Sequence, residues 1–200
     1  EGLNVALDWW NIRIDNTIVG DAPTTVLEDC YARGIEARCS DPTGSRFTRD
    51  ENGVITSFFY AGINAGFVET EGYDLDVNYA FQTDYGNFRA SWLNTYVSKN
   101  EIKTDSDAAS PPSQSNGFSG QTGINFRVRS NLSLGWEMGD FGLTWTTRYY
   151  SGVKESCLTT EIDGFCSLPD YTAPDLAGNI SPQNEIGSNT FHDVQFRWTA

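Results

Sequence analysis

The sequence predicts an all-β fold, an antiparallel meander of about six long strands that forms part of a transmembrane β-barrel. Three observations support this class: polar and apolar residues alternate strictly in several segments, the connections between them are alternately long and short, and 14% of residues are aromatic although only 38% are apolar. Alternation with a period of two is typical of a strand with one apolar face. A soluble sandwich also shows this alternation, so the connections distinguish the two architectures.

The clearest strand lies between Asn64 and Phe81. From residue 72 onward, its odd positions are large and apolar or aromatic, and its even positions are polar or small. The odd positions hold Tyr73, Leu75, Val77, Tyr79 and Phe81, and the even positions hold Asp74, Asp76, Asn78 and Ala80. This segment therefore predicts a strand with one face in water and the other out of it.

The same pattern predicts the other strands. The first covers residues 3–14, and its apolar phase shifts after Trp10, which predicts either a β-bulge or the end of the membrane-facing portion. The strand that contains Tyr73 is predicted to begin near Val54 and to be irregular at Gly62 and Gly66. The remaining strands are predicted over residues 88–98, 124–136, 141–149 and 194–198.

The connections alternate between long loops and tight turns. Long segments rich in Gly, Pro, Ser, Asp and Asn predict loops, and the first of them contains a predicted short helix over residues 26–38. Loops are predicted over residues 16–53, 99–120 and 150–189, and tight turns over residues 83–86 and 138–140. Because strand direction alternates, all the long loops lie at one end of the sheet. An outer-membrane barrel has this asymmetry, with tight turns on the periplasmic side and long loops outside.

In such a barrel the apolar strand face contacts lipid and the polar face lines a wet lumen. The residues predicted to face the lumen are Asp74, Asp76, Asn78, Arg89, Arg127, Arg129, Arg148, Asp193 and Arg197. The aromatic residues suited to interfacial girdles are Trp9, Tyr73, Tyr79, Trp92, Trp136, Trp145 and Trp198. Six strands cannot close a barrel, since even the smallest need about eight. We therefore expect residues 1–200 to be an incomplete barrel domain.

The four cysteines form two local pairs, each in a predicted long loop. Cys30 is near Cys39, and Cys157 is near Cys166. Disulfides of this kind persist in the periplasm or at a cell surface. A metal site is the alternative, but zinc ligands are usually spaced by about two to four residues and include histidines, whereas His192 is the only histidine in the sequence. The pattern therefore predicts two disulfides and no metal.

Composition and charge argue against other classes of function. A formal charge of −14, from 27 acidic residues against 13 Lys and Arg, is unsuited to binding nucleic acid. No apolar run is long enough for a transmembrane helix. Two catalytic or binding roles are the alternatives to solvated carboxylates. Asp74 and Asp76 have the spacing of a catalytic pair in a glycosidase, and Asp105, Asp107 and Glu101 offer oxygen ligands for calcium. Solvated carboxylates are far commoner than either, so we expect neither an enzyme nor a bound cofactor.

The chain resembles the C-terminal barrel region of TonB-dependent outer-membrane receptors. The similarity covers nearly the whole sequence and is carried by WWNIRIDN at residues 9–16 before a long loop, NAG at 64–66, EGYDL at 71–75, and the hairpin LSLGWEMGDFGLTWTTR at 132–148. The resemblance implies a 22-stranded barrel with an N-terminal plug, a place in the bacterial outer membrane, and import of a ligand such as a siderophore, cobalamin, glycan or peptide. Through the plug and TonB box, which this sequence lacks, it implies the TonB–ExbB–ExbD complex as partner.

One alternative to a transporter is a secreted soluble β-sandwich that binds carbohydrate through exposed aromatic residues, and another is a surface-layer or adhesin β-domain, which would have no lumen and no plug partner. In a sandwich the apolar strand faces would pack against a second layer of the same protein. The exposure of these faces in the folded chain therefore separates the hypotheses.

Overall fold

The structure is a computed structural model and describes residues 2–41, 44–59, 61–103, 111–120, 123–157, 164–170 and 182–199. Most of these residues are in β-strands, and the helical elements are confined to the first long loop. The elements are β1 (Gly2–Gly20), α1 (Pro23–Leu27), a π-helical turn (Glu28–Ala32), a 3-10 turn (Glu36–Arg38), β2 (Ser40–Asp41), β3 (Gly44–Ser45), β4 (Phe47–Arg49), β5 (Ile55–Phe58), β6 (Gly62–Thr83), β7 (Gly86–Lys103), β8 (Ser113–Gln114), β9 (Ser119–Gly120), β10 (Gly123–Ile124), β11 (Val128–Met138), β12 (Phe141–Tyr150), β13 (Val153–Ser156), β14 (Gln183–Ile186) and β15 (Asn189–Trp198).

Six long strands form the main sheet, in the order β1-β6-β7-β11-β12-β15. Each therefore lies beside the long strand that precedes it in the chain, and the pairs β7–β11, β11–β12 and β12–β15 are antiparallel. The short strand β8 also pairs with β7. This confirms the predicted antiparallel meander of six long strands.

The predicted tight turns are present, and the first is held by its own side chains. Thr83 Oγ1 accepts a hydrogen bond from the Tyr85 amide at 3.1 Å and donates to the Gly86 carbonyl at 3.2 Å. Gly86 has a φ of 115°, and a Cβ at this position would collide with the Glu137 carbonyl. The Trp136 indole N–H donates to the Tyr85 carbonyl at 2.7 Å. The turn therefore requires glycine and is fixed by the neighbouring strand β11.

Several bounds differ from the predicted ones. β1 continues to Gly20 and β7 to Lys103, because backbone pairing with a neighbour does not depend on alternation of the side chains. The strand predicted to start near Val54 is two elements, since β5 pairs with β4 as a separate hairpin. Likewise Ile124 belongs to β10, which pairs with β9, and β11 begins only at Val128.

The predicted helix over residues 26–38 was right in place and wrong in its bounds. It starts earlier, at Pro23, where proline loses no hydrogen bond because the first helical amides have no acceptor. It ends at Ala32, and Gly34 then takes a left-handed φ of 68°. The loops predicted after β7 and β12 also contain short strands, β8 and β9 in the first and the β13–β14 hairpin in the second.

After Trp10 the apolar residues of β1 move from odd to even positions. This shift marks the end of the apolar row on the odd positions, and the odd positions stay on the same face. Trp9 Nε1 donates to Glu71 Oε1 at 3.3 Å, and Asn11 Nδ2 donates to Glu71 Oε2 at 3.5 Å. Both side chains reach the same carboxylate, so they lie on one face of β1. Of the two predicted explanations, the structure supports the end of the apolar portion.

Buried side chains lie in or beside the long loops, whereas the apolar face of the sheet is exposed. The buried set is Val19, Asp21, Val26, Asp29, Cys30, Arg46, Asn116, Val153, Cys166 and Gln183. On the sheet, Leu7 is 68% exposed, Trp9 60% and Phe196 64%. In the described part of the chain, no second layer covers these rows. The arrangement is the reverse of a sandwich, in which the sheet faces would form the core.

The chain divides into two compact units. The first comprises residues 1–12, 70–100 and 114–200, and the second comprises residues 13–69 and 101–113. The first contains most of the main sheet and most of the loops that follow β7 and β12. The second contains the first long loop together with residues 13–20 of β1, 62–69 of β6 and 101–103 of β7. No helix in the described residues is long and apolar enough to cross a membrane.

Candidate functional site in the long loops and on the polar sheet face

The first long loop is organised around the buried carboxylate of Asp21, which is 1% exposed. Arg38 Nη2 lies 2.6 Å from Asp21 Oδ1, and Arg46 Nη1 also donates to Asp21. Buried charges are stable in proteins when they are paired and hydrogen-bonded, because desolvation of an isolated ion is very costly. Two guanidinium groups on one carboxylate meet this condition and join the start of the loop to residues 38–46.

A second carboxylate extends this network to the helical turns. Asp29 Oδ1 accepts from Arg33 at 2.6 Å, and Asp29 Oδ2 accepts from Arg38 at 3.0 Å. Cys30 and Cys39 are joined in a disulfide with a Cα–Cα separation of 5.1 Å. Burial lowers the pKa of Arg38, but hydrogen bonds and charges from Asp21 and Asp29 outweigh burial and raise that pKa above its ordinary value. Arg38 therefore remains charged, and the ion pairs together with the disulfide hold the loop backbone in place.

An aromatic patch lies on the same loop. The rings of Phe47 and Phe58 stack with centroids 5.8 Å apart, and Tyr31 lies 6.0 Å from Phe47. The Arg49 guanidinium lies 5.5 Å from the Tyr31 ring centroid. Tyr31 is 61% exposed, so a planar or apolar group of a ligand can stack there.

A cavity of about 480 Å³ lies between the loop after β7 and the loop after β12. The two loops are connected by the Lys154 amide, which donates to the Gly117 carbonyl at 2.8 Å, and by a parallel bridge between Phe118 and Lys154. The lining combines charged, amide and apolar groups. Its residues are Asn116, Gly117, Phe118, Arg127, Val128, Ser151, Gly152, Val153, Lys154 and Glu185.

Asn116 is the most constrained polar group in this lining, with only 1% of its surface exposed. Its Nδ2 donates to the Val97 carbonyl at 2.7 Å, and its backbone carbonyl accepts from Arg127 at 3.4 Å. Its Oδ1, however, is buried and has no hydrogen-bond partner. A buried acceptor without a donor costs about 1–3 kcal/mol. Such a group is a candidate for contact with a ligand.

The far wall of the cavity is the β13–β14 hairpin. Lys154 lies directly opposite Glu185 in this hairpin, and Glu155 lies opposite Asn184 on the other face. The hairpin is fixed at its base, since the Glu185 amide donates to Ser167 Oγ at 2.7 Å. Nearby, Cys157 and Cys166 form the second disulfide, with a Cα–Cα separation of 5.6 Å. Both disulfides join the cysteines that the sequence pairs locally.

The polar sheet face brings several predicted residues together. Asp74, Asp76 and Arg129 line one groove of about 570 Å³, together with Asp8. Asn78 donates to Asp76 at 2.5 Å. The three carboxylates and single guanidinium give this groove an acidic character.

Ion pairs connect other predicted residues across neighbouring strands. Arg148 lies 2.8 Å from Asp193, while Arg197 and Arg89 approach Glu137 at 3.1 and 3.8 Å. All of these side chains are well exposed, so each pair contributes little to stability, about 0–1 kcal/mol. Arg127 is separate from these pairs, because it lies at the bend before β11 and lines the loop cavity.

Some candidate residues were not predicted from the sequence. Asn116 lies in a segment without periodicity, and nothing in its neighbours indicates that it is buried. Trp10 lines a smaller cavity of about 190 Å³, and its Nε1 is buried without a partner. Glu137 alternates with Leu134 and Trp136, so its position on the polar face was predicted, but its contact with two arginines was not.

The residues considered for metal binding do not form a site in the described part of the chain. His192 stacks on Trp145 with ring centroids 5.6 Å apart and lies opposite Thr147 on the apolar face. Among the described residues, no group of three or more His, Cys, Asp or Glu side chains is placed to hold a metal ion. Asp105 and Asp107, considered for calcium, lie outside the described residues.

Comparison with known proteins gives one family. A family model described as TonB dependent receptor-like, beta-barrel matches residues 1–200, the full sequence. Comparison with curated proteins and comparison with solved structures give no match.

Proposed function

Because the chain belongs to the TonB-dependent receptor β-barrel family, we propose that it forms part of the wall and three exterior loops of a receptor that imports an extracellular ligand into the periplasm. The family is one of outer-membrane transporters that interact with the TonB system. The finer assignment is our proposal: residues 1–200 are a partial barrel domain, and the remaining strands, the plug and the TonB box lie elsewhere in the same receptor.

The exposed apolar face is the observation on which this proposal rests. Its cross-strand pairs include Leu134 with Trp145 and Leu143 with Phe196, and Leu143 is 42% exposed. Rows of this kind in water would be a large aggregation-prone surface. In a bilayer they are the favourable contact with lipid. The alternative of a soluble carbohydrate-binding or adhesin sandwich requires these rows to be buried, so we do not favour it.

In this proposal the polar sheet residues line the lumen and the long loops capture the ligand. Asp74, Asp76, Asn78, Arg89, Arg129, Arg148, Asp193 and Arg197 line the aqueous lumen, and Arg127 lies at its exterior mouth. The ligand is first captured by the long loops, where the buried ion pairs and disulfides hold the backbone in place. Loops fixed in this way lose less conformational entropy on binding than mobile ones.

Uptake by living cells tests the proposed transport. The full-length receptor is deleted from its host, and solutes removed from the medium are compared by mass spectrometry with and without the receptor. We expect at least one solute whose depletion requires both the receptor and a functional TonB system. Depletion that is the same in all strains would contradict transport, as would a full-length product that remains in the aqueous phase without detergent.

A further inference from the structure

We propose that the cavity between the loops after β7 and β12 binds the free carboxyl end of a short peptide. This inference rests on the proposed receptor function and adds a ligand class to it. The cavity of about 480 Å³ lies within the range of about 300–1,000 Å³ that is usual for small-molecule sites. Three features of its lining select the ligand: a buried acceptor, an exposed guanidinium and an apolar wall.

The buried acceptor is Asn116 Oδ1. The Nδ2 of the same amide donates to the Val97 carbonyl at 2.7 Å, which fixes which end of the amide carries the oxygen. Oδ1 accepts no hydrogen bond, although Asn116 is only 1% exposed to solvent. Because Asn116 belongs to the cavity lining, a ligand N–H or O–H group placed at this atom would remove the cost of its missing hydrogen bond. A peptide supplies backbone N–H groups at regular spacing.

The exposed guanidinium is that of Arg127. Arg127 Nη2 donates a hydrogen bond of 3.4 Å to the Asn116 backbone carbonyl, and none of the ion pairs among the described residues involves Arg127. A guanidinium forms paired, charge-assisted hydrogen bonds with a carboxylate. The Arg127 side chain contacts the Asn116 backbone. In the proposed complex, the peptide's terminal carboxylate binds Arg127, and the peptide N–H groups that precede it lie near Asn116 Oδ1.

The rest of the lining narrows the class further. Phe118, Val128 and Val153 form an apolar wall that suits a hydrophobic side chain at the end of the peptide. Two cations, Arg127 and Lys154, and one carboxylate, Glu185, give the described lining a net charge of +1, which suits a ligand with one negative charge. A neutral oligosaccharide would satisfy Asn116 but would bring no anion to Arg127. A peptide with one free carboxylate matches all of these groups.

Calorimetric titration of the full-length receptor in detergent tests the proposal with three probes. These are alanyl-alanyl-phenylalanine, the same tripeptide with its carboxyl end amidated, and maltotriose. We expect the free acid to bind at least about tenfold more tightly than the amide, since the amide loses the charge-assisted contact with Arg127. We expect maltotriose to show no binding at the same concentrations.

Arg127→Gln is the decisive variant, because Arg127 is exposed and its loss leaves no buried charge. It should weaken binding of the free acid by about tenfold and abolish the preference for acid over amide. Arg129→Gln removes the same charge two residues away, outside this cavity lining, and should change the affinity by less than about twofold. Asn116→Ala should also weaken binding, but it breaks the bond to Val97, so Arg127→Gln gives the clearer result.

Each contrary result overturns the inference. These results are absence of binding by the free acid, equal affinity for acid and amide, equal effects of the two arginine variants, or binding of maltotriose that Arg127→Gln leaves unchanged. The uptake experiment keeps the two proposals separate. If TonB-dependent depletion of a solute persists while the tripeptide fails to bind, only the peptide inference falls. If the tripeptide binds as expected and no solute is taken up, the transport proposal falls.

Discussion

Leu134 on β11 lies directly opposite Trp145 on β12, on the face away from Ser133 and Thr146, whose hydroxyl oxygens are 3.0 Å apart. Adjacent residues of one strand therefore face opposite environments. Leu134 belongs to the exposed apolar row, and Ser133 belongs to the polar row. This relationship gives a direct test of which face meets lipid.

Leu134→Arg should impair barrel assembly, whereas Ser133→Arg should be tolerated. An arginine near the bilayer midplane on the lipid face of a barrel costs about 2–4 kcal/mol, while lumen positions accept charge. The measurement is the fraction of full-length receptor that migrates as the folded, heat-modifiable form after insertion into lipid vesicles. Equal losses for both variants would contradict the assignment of faces.

Asp21→Asn should destabilise the first loop strongly. The substitution removes the charge that Arg38 and Arg46 share, and an uncompensated buried charge costs about 3–5 kcal/mol. The loss should appear as faster amide hydrogen exchange in the loop peptides of the full-length receptor. Glu36→Gln is the matched control, because Glu36 is exposed, and its effect should stay within about 0.5 kcal/mol. Similar exchange in both variants would argue against a structural role for the Asp21 network.

Removal of the first disulfide should loosen only its own loop. A bridge across a sequence separation of 9 residues limits the unfolded loop, and its loss should cost about 2–3 kcal/mol from loop-closure entropy. Double replacement of Cys30 and Cys39 by Ser should therefore speed thermolysin cleavage within residues 20–60. The matched pair, Cys157 and Cys166 replaced by Ser, should leave cleavage in that region unchanged. Cleavage of the first loop in both variants would indicate a general loss of fold.

The pair Arg148 and Asp193 should contribute little to stability despite its short distance of 2.8 Å. Their side chains are 46% and 60% exposed, so water screens the interaction. A double-mutant cycle with Arg148→Ala and Asp193→Ala, followed by urea unfolding in vesicles, should give a coupling energy below about 1 kcal/mol. A larger coupling energy would show that the pair is shielded from water in the assembled receptor.

Ionisation of Arg38 should not affect the first loop between about pH 6 and pH 10. The pKa of Arg38 is raised in the folded loop, so its contribution is fully present below the unfolded pKa and is lost only as the pH rises through the higher folded pKa. Amide exchange in the loop, corrected for the intrinsic effect of pH, should therefore show constant protection over this range. A fall in protection near pH 9 would contradict this.

The sequence by itself determined the strands, their two faces and the alternation of loops and turns. Alternation of side chains and turn residues are local properties, so residues 72–81 and the turn at residues 83–86 could be read without knowledge of their neighbours. The local spacing of the cysteines likewise indicated both disulfides. The family resemblance followed from the same local motifs.

Only the tertiary structure decided where the strands end and which polar groups are buried. β1 continues to Gly20 because its partner strand continues, and a segment's own residues do not report the length of its partner. Asp21, Asn116 and Arg46 lie in segments without periodicity, where burial depends on residues far along the chain. Their roles follow from long-range contacts, such as the bond between Asn116 and Val97, which join segments that the sequence presents as unrelated loop.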